Sequence, residues 1–266
     1  MSLSFSVFGV KTPLIRAGDD LAAVLVAAAG KSPAGGIADG DILVIAESPV
    51  ATAEGRAVPL AGVVPSERAR ELAKKYYLDP ALAEVVLRES DSVVGGVRGF
   101  LLAMKHGTLL PNAGVDLSNT PPGTALPLPA DPDASALRIR KAVERMTGAR
   151  VGVIVADSRT HAMRLGCSSV AIGCAGIRAV IDERGRTDLY GHVLEVTQRA
   201  AADNVASAAV LVMGEADESV PCAIVRGLGL PIVEETGVPS IPAEECLFMG
   251  VALHADPSVL RGKGEP

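Results

Sequence analysis

Val151-Gly152-Val153-Ile154-Val155-Ala156 runs directly into Asp157-Ser158-Arg159. A short stretch that is apolar on both faces predicts a strand buried on both sides of a sheet, ending abruptly at Asp157. Polar groups begin where that strand stops, and ligands of open α/β sheets bind outside the carboxyl ends of the strands. Asp157 and Ser158 are therefore candidate site residues, with a helix cap as the plainer account of the same pair. Arg159, His161 and Arg164 follow closely, enough positive charge to meet phosphate or to pair with Asp157. Gly166, Gly173 and Gly176 lighten the backbone around Val170-Ala171-Ile172.

Outward from this strand, helices and strands alternate without a repeat. Asp20 caps a helix over residues 21–29 that Gly30 stops, and Asp41-Ile42-Leu43-Val44-Ile45-Ala46 is a second buried strand, after which a loop with chemistry is expected. Residues 66–77 and 80–89 predict two helices, the latter with Asp79 as cap and Pro80 in its first position, and Asp131-Pro132 opens another that ends near Gly148. Apolar residues at Leu194, Ala201, Val205, Ala208 and Val212 predict a helix over residues 191–213, stopped by Gly214. Residues 222–225 and 247–253 are expected as strands, and residues 261–266 as a disordered tail. The proline-rich stretch 119–132 is a candidate lobe boundary inside a chain treated as one unit of 1–266.

Composition narrows the function. Of 266 residues, 25 are Lys or Arg and 31 Asp or Glu, a formal charge of −6, which argues against a nucleic-acid binder that neutralises many phosphates. Aromatics make up 3%, with no Trp, so base stacking has little to work with and the core must be built from Ala, Val, Leu and Ile. No apolar run approaches the roughly 18 residues of a bilayer span, and residues 1–5 lack a basic region ahead of an apolar stretch. The expectation is a cytoplasmic protein with no membrane partner. Cys167, Cys174, Cys222 and Cys246 show no CxxC spacing and are expected to be reduced thiols, mostly buried.

Familiar motifs fail on inspection. Gly30-Lys31-Ser32 has Leu25 where a P-loop needs its first Gly, and it ends a helix instead of opening one. Gly227-Leu228-Gly229 has Ile232 in place of the third Gly of a dinucleotide fingerprint. The four His form no HExxH. What remains is oxygen-rich: Asn112-Ala113-Gly114-Val115-Asp116-Leu117-Ser118-Asn119, Asp157-Ser158, and Gly214-Glu215-Ala216-Asp217-Glu218. Each has a bland account, as a self-bonded turn, a cap and a solvated acidic turn. Carboxylates and hydroxyls are also the hard ligands that magnesium and manganese take, usually bridging to substrate phosphates. Intervals of 41 and 58 residues do not show whether Asp116, Asp157 and Glu215 meet.

Thr12-Pro13-Leu14-Ile15 with Gly18-Asp19-Asp20-Leu21, Ala53-Glu54-Gly55-Arg56, Asn112-Ala113-Gly114-Val115-Asp116 with Ser118-Asn119, Asp157-Ser158 with Ala171-Ile172-Gly173, and Val212-Met213-Gly214-Glu215 together resemble the coenzyme F420-0:L-glutamate ligase (gamma-glutamyl ligase) family, in order and over nearly the whole chain. The resemblance implies an α+β (mixed α/β) fold of two interwoven lobes, unlike P-loop or Rossmann proteins, assembled as a homodimer. It implies a GTP-dependent ligase that joins L-glutamate to the lactyl carboxylate of F420-0 and then adds a gamma-linked glutamate, with Mg2+ or Mn2+ at two sites and K+ as a helper. Carried over by motif, Asp116 and Asp157 would hold one divalent ion, and Ser158 and Glu215 would hold or share a second. The nucleotide would lie against Thr12, Pro13, Leu14, Ile15, Glu47, Ser48, Thr52, Asn119 and the run Met213, Gly214, Glu215, Ala216, Asp217, Glu218, Ser219 and Val220. Asp157 and Arg164 are the expected catalytic pair.

Two departures matter. The family commonly carries Ser-Lys before Ala-Glu-Gly-Arg, where this chain has Ala51-Thr52, so Arg159, Arg164 or Arg56 would have to replace a phosphate-facing cation. The stretch after Asp157-Ser158 also differs from the family's Gly-Arg-Pro turn, reading Arg159-Thr160-His161. Two alternatives therefore stand beside the ligase: a paralogue that joins another carboxylate to an amine, and a nucleotide- or metal-binding protein without turnover.

Overall fold

A computed structural model describes residues 4–252. Its strands are β1 (Ser6–Val10), β2 (Ile42–Ala46), β3 (Val58–Pro59), β4 (Ser92–Val97), β5 (Phe100–Lys105), β6 (Thr108–Pro111), β7 (Thr124–Ala125), β8 (Gly152–Thr160), β9 (Cys167–Ala175), β10 (Val180–Asp182), β11 (Gln198–Ala200) and β12 (Cys222–Arg226). Its helices are α1 (Leu21–Ala29), α2 (Glu47–Ala53), α3 (Glu67–Tyr76), α4 (Pro80–Glu89), α5 (Pro132–Thr147), α6 (Ala201–Met213) and α7 (Leu247–Ala252). The architecture is mixed α/β of the α+β kind, as expected.

A five-stranded sheet in the order β1-β12-β2-β8-β9 forms the centre. The apolar runs that mark β2 and β8 put these two strands side by side in parallel, with Ala46 level with Ala156. One face of the sheet packs on α1 and α5 through Leu25, Ile139, Val143, Val153 and Val155. The other packs on α6, whose Ala202, Ala206 and Ala209 let the helix lie close to Ile154 and Ala223. The largest fully buried side chains are all Leu, Ile or Val, as a chain poor in aromatics requires. A second, smaller core lies between α4 and the antiparallel sheet β4-β5-β6, around Val86, Leu101 and Ala103.

The expected helix starts are made by the expected caps Asp20, Asp79 and Asp131, and Ser66 adds a fourth. Asp20, Ser66, Asp79 and Asp131 each accept a hydrogen bond from a backbone N–H in the first turn, a cap that contributes about 1 kcal/mol. Three local expectations are corrected. The helix expected over residues 191–213 begins only at Ala201. Upstream of it the chain folds back as a β arm, with Leu194 N–H donating to the Arg186 carbonyl and Glu183 N–H to the Thr197 carbonyl. Strand pairing overrides a helical spacing that rested on Leu194 alone. The run expected as a strand over residues 247–253 is helical at Leu247–Ala252, with Leu253 outside the described residues. A short apolar run can close its own hydrogen bonds within a helix, here Gly250 N–H to the Cys246 carbonyl. Finally, β8 does not stop at Asp157 but continues to Thr160, paired with β9 throughout. Residues 261–266, expected as a tail, lie outside the described residues.

Among the described residues no helix is long and apolar enough to cross a membrane. Cys174 and Cys222 are buried, and burial pushes both thiols up to about 12. Cys167 is exposed and Cys246 intermediate, so only two of the four cysteines are the buried thiols expected.

Candidate functional site

The parallel pairing of β2 with β8 ends at one rim of the sheet, and the next residues along the chain are Glu47, which opens α2, and Asp157 on β8. A cleft of about 1120 Å³ opens there. It is lined by Thr12, Pro13, Leu14 and Ile15 after β1, by Glu47, Ser48 and Thr52 on α2, and by Asp116 and Asn119 beyond β6. Asp157, Ser158 and Arg159 on β8 and the run Met213, Gly214, Glu215, Ala216, Asp217, Glu218, Ser219 and Val220 complete the set. Every residue expected at a nucleotide or metal position therefore faces one cavity. Of the expected catalytic pair, Asp157 lines it and Arg164 does not: Arg164 sits in the exposed turn between β8 and β9, its N–H donating to the His161 carbonyl. Arg56, a possible substitute cation, is also elsewhere, bonded at 2.7 Å to Glu89 and at 3.1 Å to the Leu128 carbonyl. Arg159 is left as the substitute that reaches the cleft, with its Nε 3.2 Å from Asp157 Oδ2.

Three short-range devices hold the acidic groups. Asp116 makes the self-bonded turn that its composition suggested, Oδ1 accepting from Leu117 N–H at 2.6 Å and Ser118 N–H at 3.0 Å, while its backbone bridges to Leu126. Ser158 Oγ stands 2.8 Å from both carboxylate oxygens of Glu215, tying β8 to the turn after α6. That turn exists because Gly214 has φ +77°, and the Glu218 carboxylate folds over it where a Cβ would sit at 2.2 Å. Glu218 accepts from the Ala216 N–H, and backbone hydrogen bonds lower its pKa. Glu218 thus builds the turn, while Glu215 reaches across to Ser158. Asn112, Asn119 and Ser219, all lining the cleft, have positive φ without being glycine, a backbone cost that clusters at functional sites.

The electrostatics are lopsided. Among the described residues of the lining, Glu47, Asp116, Asp157, Glu215, Asp217 and Glu218 face only Arg16 and Arg159 as cations. Glu47 keeps some exposed surface but is crowded by protein, and burial, then the charges of Asp157 and Asp116, raise its pKa well above the usual carboxylate range. Asp157 is raised too, by burial first, although Arg159 pulls the other way. Among the described residues no three His, Cys, Asp or Glu side chains form a closed ligand set. The charges of Asp157 and Asp116 are felt at Glu47, and Glu215 is tied to Ser158. An all-oxygen donor set with surplus negative charge matches what hard divalent cations require, so the residues present fit magnesium or manganese. A bare polyphosphate would be repelled from the same surface.

Sequence reasoning placed Glu47 against a nucleotide and missed its membership of the carboxylate group. The signal was present, since Glu47 follows the buried strand β2 as Asp157 follows the apolar part of β8. Arg16 and Ser169, also in the lining, were not singled out as site residues; each sits in a segment whose direction only the folded chain sets.

An α+β chain whose polar cleft opens at the ends of a parallel strand pair has the layout of a protein that takes small molecules. The family described as F420-0:gamma-glutamyl ligase matches residues 9–227. The chain belongs to that family. It is 42% identical over 229 residues to the coenzyme F420:L-glutamate ligase of Methanothermobacter thermautotrophicus, covering 85% of this chain and 90% of the relative. It is 41% identical over 245 residues to the protein of the same name from Methanocaldococcus jannaschii, covering 91% and 96%, and 40% identical over 218 residues to that of Archaeoglobus fulgidus, covering 82% and 85%.

Proposed function

We infer that this chain is a ligase that forms an amide between L-glutamate and the lactyl carboxylate of F420-0, driven by GTP and divalent cations, and then adds a gamma-linked glutamate. Family membership and the names of the relatives supply the reaction class. The observation that carries the rest is that Asp116, Asp157, Ser158 and Glu215, from three separate stretches of chain, line one cleft.

A carboxylate does not condense with an amine until one of its oxygens becomes a leaving group. In this proposal the γ-phosphoryl group of GTP passes to the F420-0 carboxylate, GDP leaves, the glutamate amine attacks the acyl phosphate, and phosphate departs as the amide forms. Magnesium or manganese held by Asp116, Asp157, Ser158 and Glu215 would neutralise charge on the transferring phosphoryl group. The chain's own part is to fix those oxygens through the Asp116 turn and the Ser158–Glu215 contact, to present Arg159 to phosphate, and to bring donor and acceptor together. No covalent protein nucleophile is needed. The test is incubation of pure protein with F420-0, L-glutamate, GTP, manganese and potassium, followed by mass spectrometry for glutamylated product. Absence of that product with GTP consumed on another carboxylate would favour a paralogous ligase, and tight GDP binding without turnover on any acceptor a non-catalytic binder. Thr52, which lines the cleft at the position where the family commonly has Lys, motivates both alternatives, and the changed stretch at His161 adds to the first.

Thr52→Lys is expected to tighten GTP binding about tenfold or more, the worth of one charge-assisted hydrogen bond of roughly 1.5 to 3 kcal/mol. Isothermal titration would read it, and an unchanged Kd would mean that this position does not face the phosphates.

A homodimer is also proposed. The arm carried by β10 and β11 exposes Leu189, Tyr190 and Val196 at 100%, 88% and 86%, apolar surface that a second copy of the chain would cover. Light scattering should give twice the chain mass, and Leu189→Arg with Tyr190→Arg should give the single mass. A wild-type protein that runs as a monomer would refute this assembly.

A further inference from the structure

The β8–β9 ladder is out of step at one place. Val155 lies opposite Gly173 and Ala156 opposite Ala171, so Ile172 is an extra residue on β9. The bulge falls just before β8 turns from apolar to polar. A one-residue slip turns every later side chain to the other face of a strand. Because of it, Ser169 stands opposite Ser158, on the side of the sheet that carries α6 and Glu215, and lines the cleft. Were Ile172 paired in register instead of bulged, Val170 would take that place and put a branched apolar side chain beside the Ser158–Glu215 contact.

An edge strand with a bulge has backbone groups that the sheet does not take, and something must satisfy them. Here helix side chains from both faces do so. Asp203, in the first turn of α6, accepts from Ala171 N–H at 2.9 Å. Ser207, one turn further along α6, donates to the Ser169 carbonyl at 2.7 Å. From the opposite layer Asp133, in the first turn of α5, accepts from Cys174 N–H at 2.9 Å. The three bonds bracket Ile172 and leave it no slack to slide.

We propose that Asp203, with Ser207 and Asp133, is a positioning residue that locks the β9 bulge and so aims Asp157, Ser158 and Ser169 into the cleft. Its effect on catalysis rests on the ligase assignment above; its effect on the strand does not. None of the three lines the cleft, and each acts through the backbone of β9.

The test compares Asp203→Ala with Asp203→Asn at a temperature where circular dichroism shows both folded. Asn keeps an oxygen that can accept from Ala171 N–H, whereas Ala does not. Asp203→Ala should lower kcat for glutamylation by about ten- to a hundredfold and leave KM for GTP within about twofold, and Asp203→Asn should recover most of the rate. Amide hydrogen exchange should rise over residues 167–175 and over 157–160 in the Ala variant and stay near wild type in the Asn variant. Unchanged exchange at 157–160 in Asp203→Ala would overturn the proposal, as would wild-type kcat in a folded Ala variant. If Asp203→Ala does not fold, Ser207→Ala removes a single neutral bond of the same bracket and should show the same pattern at lower amplitude, with unchanged exchange at 157–160 again counting against it. A wild-type protein that makes no product would defeat the ligase assignment, while the exchange comparison would still decide whether Asp203 holds the bulge.

Discussion

Asp157→Asn is expected to lower kcat by about two hundred- to a thousandfold at saturating manganese, with the melting temperature nearly unchanged. Loss of a preorganised charge at a site of phosphoryl transfer costs roughly 3 to 4 kcal/mol of transition-state stabilisation. Asp157 sits where β8 leaves the core and is the cluster member in contact with Arg159. Asn preserves its shape but removes the charge. Stability should hold because two effects oppose each other. The ion pair to Arg159 is weakened, while the like-charge repulsion that adds to burial in raising the pKa values, from Asp116 on Asp157 and from Asp157 on Glu47, is relieved. Steady-state kinetics with calorimetry on the same preparation separates the outcomes. A variant that turns over at the wild-type rate would remove Asp157 from the reaction centre.

The second large effect is on stability. A Cβ on Gly173 would stand 2.2 Å from the Pro132 carbonyl oxygen and 2.3 Å from its carbon, both backbone atoms at the start of α5. No side-chain rotation relieves that clash, so the helix or the strand must move. Gly173→Ala should cost about 3 kcal/mol, the upper end of ordinary overpacking, and lower Tm by roughly 6 to 12 °C for a chain of this size. Gly173 also adjoins the bulge at Ile172 and the Cys174 N–H held by Asp133, so ligase activity should fall even well below the new Tm. A melting temperature within 2 °C of wild type would show that α5 is not seated on the strand as described.

These expectations draw on different amounts of sequence. That Asp157 follows a buried strand is visible in Val151-Gly152-Val153-Ile154-Val155-Ala156, since an unbroken apolar run has few other places to go. The crowding at Gly173 is not visible, because it involves Pro132, forty-one positions earlier, and depends on how closely α5 approaches β9. Residues 191–200, the part of the arm that ends in β11, read as helix because apolar spacing carries no information on whether a partner strand is near. Arg56 and Arg164 were plausible phosphate ligands by charge alone, and only packing shows that Glu89 holds one and that the other lies in an exposed turn outside the cleft.

The local alphabet of this protein was written in its sequence: aspartates and a serine that cap helices, glycines that end them, two central strands with unbroken apolar stretches at 42–46 and 151–156, and a core with almost no aromatics. Those features depend on neighbours within a few positions, where steric and hydrogen-bonding preferences act directly. The family was legible as well, through short motifs kept in order. Only the tertiary structure brought Asp116, Asp157 and Glu215 to one cleft, added Glu47 to them, and set the Ile172 bulge that turns Ser169 toward Ser158. Such juxtapositions are set by the parallel pairing of β2 with β8 and by helices gripping an edge strand, contacts between residues far apart in the chain that no local preference specifies.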